Sequence, residues 1–210
     1  MDDVSVRTPS STREGILLAT RELLEERGPR GVRLEDVLRA AHVSKGAVYH
    51  HFDDFDALVE EAQLTWYRDL VEDDIESMRR LVEASDAEGL RAAIATTTRA
   101  AYDQTRRSQR ANRIMILAGV AFGSEELRRG YAALQGRLND ALAGVIADAQ
   151  SRGLIRDTLD ASALAAMLFA LTFGRAFNEL ADVNVDPDAD SALLLALLDD
   201  VLVEEGSTAS

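Results

Sequence analysis

Apolar residues recur every three to four positions along almost the whole chain, which is the spacing of amphipathic α-helices. The first such stripe includes Ile16, Leu23 and Leu24, and the Gly28–Pro29 pair that follows is a helix stop signal. No segment alternates between apolar and polar residues as a half-buried strand does, and the sequence has no Asn-Gly hairpin turn. The pattern therefore predicts an all-α protein.

The same spacing places the helices along the chain. About nine are predicted, over residues 10–27, 34–41, 45–51, 54–82, 86–107, 109–122, 125–152, 160–180 and 187–204. Near residue 54, three short helices give way to long ones. We therefore expect two domains, one over residues 10–54 and the other over residues 55–206.

Charge distinguishes these two parts. Residues 7–52 contain eight basic and six acidic side chains and have a net charge of +2, whereas the whole chain has a net charge of −14. Because residues 1–6 contribute −2, residues 53–210 also carry −14. An acidic second part repels a polyanion, so a polyanionic partner is expected to meet the first domain.

The composition of the chain indicates the cellular compartment in which the protein is expected. The sequence has no cysteine, which removes disulfides, thiolate nucleophiles and cysteine zinc ligands. The longest nearly uninterrupted apolar run, residues 163–174, is shorter than the roughly 20 residues of a membrane-spanning helix. The N-terminus is acidic and lacks the apolar stretch of a secretory signal. We expect a cytoplasmic protein.

Residues 33–52 have the spacing of a helix-turn-helix motif. In its first helix Leu34, Val37 and Leu38 face inward, and a turn of about three residues follows. Ser44 is then a suitable N-cap, because its hydroxyl accepts a hydrogen bond from a backbone N–H that the helix leaves unpaired. The remaining N–H groups and the helix dipole attract phosphate to this end of the second helix.

The second helix of the motif has an apolar face and a polar face. Val48 and Phe52, four residues apart, are expected to anchor it to the core of the first domain. The polar face offers a mobile cation, a phenol and an imidazole, and its small residues let DNA approach closely. The residues of this face are Lys45, Gly46, Ala47, Tyr49 and His50.

The string AHVSKGAVYHHF, from Ala41 to Phe52, followed by Asp56-Ala57-Leu58, resembles the TetR (tetracycline-repressor) family of bacterial regulators. The resemblance covers residues 12–58 well, and beyond them only the number and order of helices. It implies a homodimer whose paired helices enter successive major grooves of a palindromic operator, and a small molecule that binds the second domain and releases the DNA. The DNA contacts implied by position are Arg33, Ser44, Lys45, Gly46, Ala47, Tyr49 and His50.

The chain departs from the family pattern at three positions. Arg33 stands where the family usually has Ser or Thr, and His42 stands in the turn where it usually has Gly. Histidine tolerates a left-handed backbone better than most residues, at some cost. Phe55 replaces a frequent Lys that holds a phosphate, behind Asp53 and Asp54. We therefore expect weaker nonspecific DNA binding and a shallower salt dependence than usual.

Aromatic residues of the second domain are candidates for a ligand pocket. Phe169, Phe173 and Phe177 recur every four residues on one side of the eighth helix, either as core or as a pocket wall. In the family the pocket lies among helices four to eight, and the further candidates there are Trp66, Thr97, Tyr102, Met115, Phe122 and Asn178. Because the second domain is acidic, an apolar or aromatic effector is favoured over a polyanion.

The last two predicted helices are rich in leucine and contain small residues that allow close packing. Their apolar residues are Leu164, Leu168, Leu171, Leu194, Leu195, Leu198, Val201 and Leu202. Two such helices from each of two subunits are expected to form a four-helix bundle, and the alternative is a core within one chain. Arg175, within this apolar stretch, is expected to pair with an acidic residue rather than with a ligand.

Other readings of these residues remain open. An enzyme needs a convergent nucleophile and base, yet all three histidines lie in the first domain. His50 and His51 diverge by about 100° on a helix and do not chelate one metal ion easily.

Residues 186–190 imitate a calcium loop but lack its glycine and closing glutamate, so we expect a helix start. A helical adaptor that binds protein without DNA is the second alternative; no metal or cofactor is expected.

Overall fold

The computed structural model describes residues 12–82, 86–100, 107–120, 122–181, 183 and 185–198. Within those ranges the chain forms α-helices and one 3₁₀ turn and no β-strand, which confirms the predicted all-α class. The helices are α1 (Thr12–Arg27), α2 (Leu34–Ala40), α3 (Lys45–His51), α4 (Phe55–Val82), α5 (Ala87–Ala100), α6 (Arg107–Val120), α7 (Glu125–Ser151), α8 (Ala161–Leu180) and α9 (Pro187–Leu198), with the 3₁₀ turn at Pro29–Gly31.

Local signals set the ends of several helices. The backbone of Gly28 has a φ of 68° directly after α1, so the predicted stop acts as expected. Asp54 caps α4 by accepting a hydrogen bond from the Ala57 N–H at 2.7 Å, and Asp160 caps α8 in the same way. Pro187 is the first residue of α9, where a missing N–H costs nothing.

The chain divides into two compact units. The first contains the described residues up to Arg68 together with Met115–Tyr131, and the second contains Asp69–Ile114 and the described residues from Ala132 onward. Three helices, α4, α6 and α7, therefore contribute residues to both units. The division of DNA-binding and ligand-binding roles at residues 54 and 55 stays a prediction.

The first unit has a core built from α1 to α4. Its buried apolar residues are Ile16, Leu23, Leu24, Val32, Val37, Val48, Phe52, Leu58 and Ala62. Leu58 and Ala62 belong to the first two turns of α4, so the three-helix head is completed by α4. Phe55 is partly buried and also packs against this core, so its side chain contributes to packing rather than to a phosphate contact.

The first two turns of α7 pack closely against α4 within the first unit. The Tyr67 and Tyr131 rings are stacked with centroids 4.6 Å apart. A Cβ atom at Gly130 would lie 2.7 Å from a terminal methyl of Leu64, so a larger residue there would require the Leu64 side chain to move. At the start of α7 the Ser124 N–H donates to the Glu60 carboxylate at 3.0 Å, and the Ser124 hydroxyl donates to the same group.

In the second unit α9 packs on α5 through Leu194 and Leu198, which are buried against Leu90, Ile94 and Ile155. Leu194 and Leu198 were predicted to face a second subunit, and this prediction was wrong because the chain's own core covers them. The leucines that remain exposed on α9 are the neighbouring Leu193 and Leu197.

Arginine–carboxylate pairs join helices of the second unit. Arg175 Nε lies 2.6 Å from a carboxylate oxygen of Asp190 and forms an ion pair with it, which confirms that this arginine pairs with an acid. Two nitrogens of Arg110, Nε and Nη2, each donate to Glu179 at 2.7 Å, with both side chains largely buried. Such paired, directional contacts let charged groups lie inside a largely apolar unit.

The outward surface of α8 and α9 is apolar. Large apolar residues exposed there are Met167, Leu171, Phe177, Leu180, Leu193 and Leu197. With 20 residues and a mean hydropathy of 1.3, α8 reaches the length and apolarity of a membrane-spanning helix, although the apolar run alone appeared too short. Only 11% of that stretch is buried within the chain, so its apolar face lacks a cover among the described residues.

Candidate functional site

The start of α3 has the geometry expected from the sequence. Ser44 is the N-cap, and its hydroxyl oxygen accepts a hydrogen bond from the Ala47 N–H at 3.2 Å. Val48 is fully buried and Phe52, which ends the helix, is 5% exposed, so both anchor α3 as predicted. The first turn of α3 is therefore held in place while its N–H groups stay at the surface.

The opposite face of α3 is open to solvent. Lys45, Gly46 and His50 are exposed, Tyr49 is 42% exposed and Ala47 is partly exposed. The Lys45 ammonium lies 5.7 Å from the centroid of the Tyr49 ring, a cation–π arrangement one helical turn apart. The atom nearest to a Cβ at Gly46 is 3.8 Å away, so this part of the surface is thin.

The turn before α3 contains a strained residue. His42 has a φ of 55°, and it is the one non-glycine residue with positive φ in the part of the chain that the structure describes. The left-handed conformation expected at this position is confirmed. A side chain in this region costs free energy that glycine does not.

Arg33 differs from Arg27 and Arg39 because it has no ion pair among the described residues. It occupies the N-cap position of α2, makes no side-chain capping bond, and is exposed. Arg27 and Arg39 both donate to the Asp36 carboxylate, at 3.0 and 3.2 Å. Arg33 has no ion pair among the described residues, so its charge is available to a phosphate. The role of Asp36 as the shared ion-pair partner of Arg27 and Arg39 was not predicted from the sequence.

An acidic cavity of about 400 Å³ lies beyond the end of α3, within the first unit. The carboxylates that line it are Asp53, Asp54, Asp56, Glu60, Glu61 and Glu126. This concentration of negative charge repels phosphate, which supports the expectation of weak nonspecific DNA binding. The run of acids after Phe52 is the sequence signal for this part of the surface.

The predicted ligand residues lie in different surroundings. Within the first unit Trp66 is 6% exposed, whereas Phe122, after α6, is 95% exposed. Thr97 and Met115 lie on α5 and α6, but their side chains, like all of Tyr102, fall outside the described residues. The assignment of these residues to a pocket stays a prediction.

The phenylalanine stripe of α8 is graded in exposure. Phe169 and Phe173 are partly buried, Phe177 is 64% exposed, and Asn178 is exposed. The stripe is therefore not simply core of a single chain. The assignment of Phe169 and Phe173 to a pocket wall stays a prediction.

The second unit has a groove that the sequence analysis did not anticipate. It holds about 290 Å³ and is lined by Ile75, Met78, Arg79, Ala141, Gly144, Val145 and Asp148. None of the predicted ligand residues lines it. Its sequence signal is the pair of small residues Ala141 and Gly144, which leave space beside the α4 side chains.

Comparisons with known proteins agree with this architecture. Residues 16–62 match the family model described as bacterial regulatory proteins, tetR family. A TetR-family regulator from Rhodococcus sp. is 25% identical, with a TM-score of 0.68 over 93% of this chain and 100% of that one. No curated protein sequence matches the chain.

Two further solved structures share the fold and hold a ligand. A transcriptional regulator from Saccharomonospora viridis in complex with choline is 22% identical, with a TM-score of 0.71 over 94% of this chain and 100% of that one. The SmeT–triclosan complex is 22% identical, with a TM-score of 0.63 over 94% of each chain. Residues 16–62 therefore match the DNA-binding domain of the tetR family, and the described part of the chain shares its fold with solved TetR-family transcriptional regulators.

Proposed function

We propose that the chain binds a palindromic operator as a homodimer and represses transcription until a small molecule releases the DNA. The observation that carries this proposal is α3, which is anchored by Val48 and presents Lys45, Tyr49 and His50 to solvent. A capped helix start with exposed N–H donors beside a cation suits the phosphate backbone of a major groove. In this role the protein acts in the cytoplasm and catalyses no reaction.

Arg33, which has no ion pair in the part of the chain that the structure describes, extends the same surface to the start of α2. Together with Ser44, Gly46 and Ala47, it would add contacts that position the helix on DNA. Phosphate contacts fix the register of α3, and the side chains that reach base edges then select the sequence.

The exposed apolar face of α8 and α9 supports the homodimer. A second copy would cover Met167, Leu171, Phe177, Leu193 and Leu197 by the same face, as a twofold axis requires. Burying this surface from water is favourable by about 25 cal/mol per Å². The proposed interface therefore differs from the one predicted from sequence by using Leu193 and Leu197 instead of their buried neighbours.

The effector is proposed to be a small, mainly apolar or aromatic molecule bound in the second domain. Phe169 and Phe173 supply partly buried aromatic surface there. The Saccharomonospora viridis structure with choline and the SmeT structure with triclosan support ligand binding by this fold. Such a ligand stabilises the protein by about 2.7 kcal/mol when its concentration is 100 times Kd.

The DNA-binding proposal is tested with a duplex enriched by the wild-type protein from a random-sequence library. The double variant Lys45→Ala/Tyr49→Ala is expected to lose at least about tenfold in affinity, because it removes two contacts from the exposed face. Glu22→Gln, on the exposed surface of α1, is the control and should bind normally. Failure of the wild-type protein to enrich any duplex would contradict the proposal and favour a protein-binding adaptor.

The dimer is tested by sedimentation velocity. Wild-type protein is expected to sediment as a dimer and Leu193→Glu/Leu197→Glu as a monomer, because each charge would be buried in the interface. Leu117→Glu, at an exposed leucine of the first unit, is the matched control. A monomeric wild-type chain that floats with lipid vesicles would instead assign the apolar face to a membrane.

The effector proposal is tested by thermal unfolding with a panel of aromatic and quaternary ammonium compounds that includes triclosan and choline. A stabilising compound should also lower affinity for the enriched duplex. A compound that stabilises the protein without changing DNA affinity would contradict the proposed release mechanism.

A further inference from the structure

Arg13, in the first turn of α1, contacts two other elements of the first unit. Its Nη2 donates to both carboxylate oxygens of Glu61 on α4, at 2.7 and 2.6 Å. Its guanidinium carbon lies 4.9 Å from the centroid of the Phe52 ring. Because Phe52 directly follows α3, Arg13 links the end of this helix to α4.

The orientation of α3 needs such a link. The helix has seven residues, and Val48 is its one buried side chain. A helix anchored at one buried position keeps its distance from the core but is free to pivot about that position. Phe52 provides a second anchor, and a guanidinium over its ring fixes the direction in which the helix ends.

The contribution of this link to stability is small. The Arg13 and Glu61 side chains are 42% and 37% exposed, and ion pairs at such positions change the free energy of unfolding little. What the contact restricts is geometry, because an aromatic ring and a carboxylate are both held against one planar group. A role in orientation can therefore be separated from a role in folding.

We propose that Arg13 and Glu61 are positioning residues for DNA binding, which hold α3 at the angle that lets Lys45 and Tyr49 reach DNA together. The inference rests on the proposed function of α3 as the DNA-contacting helix. Neither residue needs to touch DNA for this role, and Arg13 acts through Phe52.

Charge alone would produce opposite effects at the two residues. Removing the positive charge of Arg13 weakens attraction to DNA, and removing the negative charge of Glu61 strengthens it. If the pair acts by orienting α3, each substitution weakens binding to the enriched duplex. The sign of the Glu61 effect therefore separates the two explanations.

The test compares full-length Arg13→Gln, Glu61→Gln and the double variant with the wild-type protein. Affinity is measured for the enriched duplex and for an unselected duplex of the same length at one salt concentration. Both single variants are expected to bind the enriched duplex about fivefold more weakly or worse. The unselected duplex should be bound within about twofold of wild type, because it does not depend on a defined angle of α3.

The double variant sharpens the result. Two residues that act as one unit give non-additive losses, so Arg13→Gln/Glu61→Gln should bind the enriched duplex about as weakly as either single variant. A pure charge effect predicts that the double variant recovers wild-type affinity. The control Glu22→Gln removes the same charge elsewhere on the first unit and should not weaken binding.

Thermal unfolding checks that the variants are folded, with midpoints expected within about 4 °C of wild type. Glu61→Gln that binds the enriched duplex as well as or better than wild type would overturn the inference, provided that Lys45→Ala/Tyr49→Ala loses affinity. If the Lys45 and Tyr49 variant also binds normally, or if no duplex is enriched, the proposed role of α3 fails and the inference fails with it.

Discussion

Two surfaces of the protein face solvent for different reasons. The exposed face of α3 is polar and small, and the residues behind it are fully buried in the core of the first unit. The outward face of α8 and α9 is made of large apolar side chains, with Leu193 and Leu197 59% and 63% exposed. Water forms hydrogen bonds with the polar groups of the first surface, whereas exposure of the second, apolar surface to water costs free energy.

The difference shows how exposure relates to function in this chain. Exposed polar side chains on a firmly anchored short helix suit a partner that binds reversibly, such as DNA. These side chains are already held in position for binding, and they remain hydrated at little cost in free energy when no partner is bound. Apolar exposure along a 20-residue helix is typical of a surface meant to stay covered. The polar face of α3 is thus suited to reversible binding, and the apolar face of α8 and α9 to stable association.

The largest expected effect is on the free energy of unfolding, when a buried leucine and an exposed leucine are each replaced by alanine. Leu58→Ala should lower the free energy of unfolding by about 2–5 kcal/mol, because Leu58 is fully buried in the first unit. Leu197→Ala should leave the unfolding of a monomer nearly unchanged but weaken the dimer. Chemical denaturation at two protein concentrations measures both. A concentration-independent loss at Leu197 equal to that at Leu58 would contradict the contrast between the two surfaces.

A smaller effect is expected at the start of α3. Ser44→Ala removes the acceptor for the Ala47 N–H and should cost about 1 kcal/mol of stability. Ser44→Asp keeps an acceptor and should restore stability, but its charge should weaken DNA binding. Denaturation and duplex titration give the two readouts. Equal stability of Ser44→Ala and wild type would show that the cap contributes nothing.

The acidic residues beyond the end of α3 can be substituted without changing the buried core of the first unit. Asp53→Lys replaces an exposed carboxylate that lines the acidic cavity. The variant should bind an unselected duplex a few-fold more tightly, and the slope of log K against log salt should steepen by about 0.9 if one phosphate contact is gained. An unchanged salt slope would place Asp53 away from the DNA path.

The smallest expected effect concerns the turn that leads into α3. His42→Gly relieves a side chain at a φ of 55° and should stabilise the first unit by about 0.5 kcal/mol, since the greater chain entropy of glycine offsets part of the gain. Denaturation of His42→Gly and His42→Ala measures it, and alanine should not stabilise. A loss of stability in the glycine variant would mean that the imidazole itself contributes to the turn.

Local features of the sequence predicted the motif well. The bounds of α3, the Ser44 cap and the left-handed His42 follow from interactions within a few residues, and the four-residue spacing of Val48 and Phe52 identified the face of α3 that is buried. The helical class and the order of helices are local in the same sense, because they depend on the 3.6-residue period. The family resemblance at residues 41–52 added the expectation that this surface contacts DNA.

The buried face of α9 could not be predicted in this way. Every residue of 192–198 is apolar, so periodicity does not say which leucines of α9 turn inward. Packing on α5 buries Leu194 and Leu198 and leaves Leu193 and Leu197 outside. The choice is made by where the neighbouring helix lies.

The helices, their caps and the polar face of α3 could be predicted from the sequence, since they depend on residues that are close in the chain. The partners of Arg13 and Glu60 could not, because they lie 48 and 64 residues away at Glu61 and Ser124 and are brought near only by helix packing. Long side chains with a charge find their partners only after helices have packed, because burial and geometry select among many acids and donors of similar chemistry.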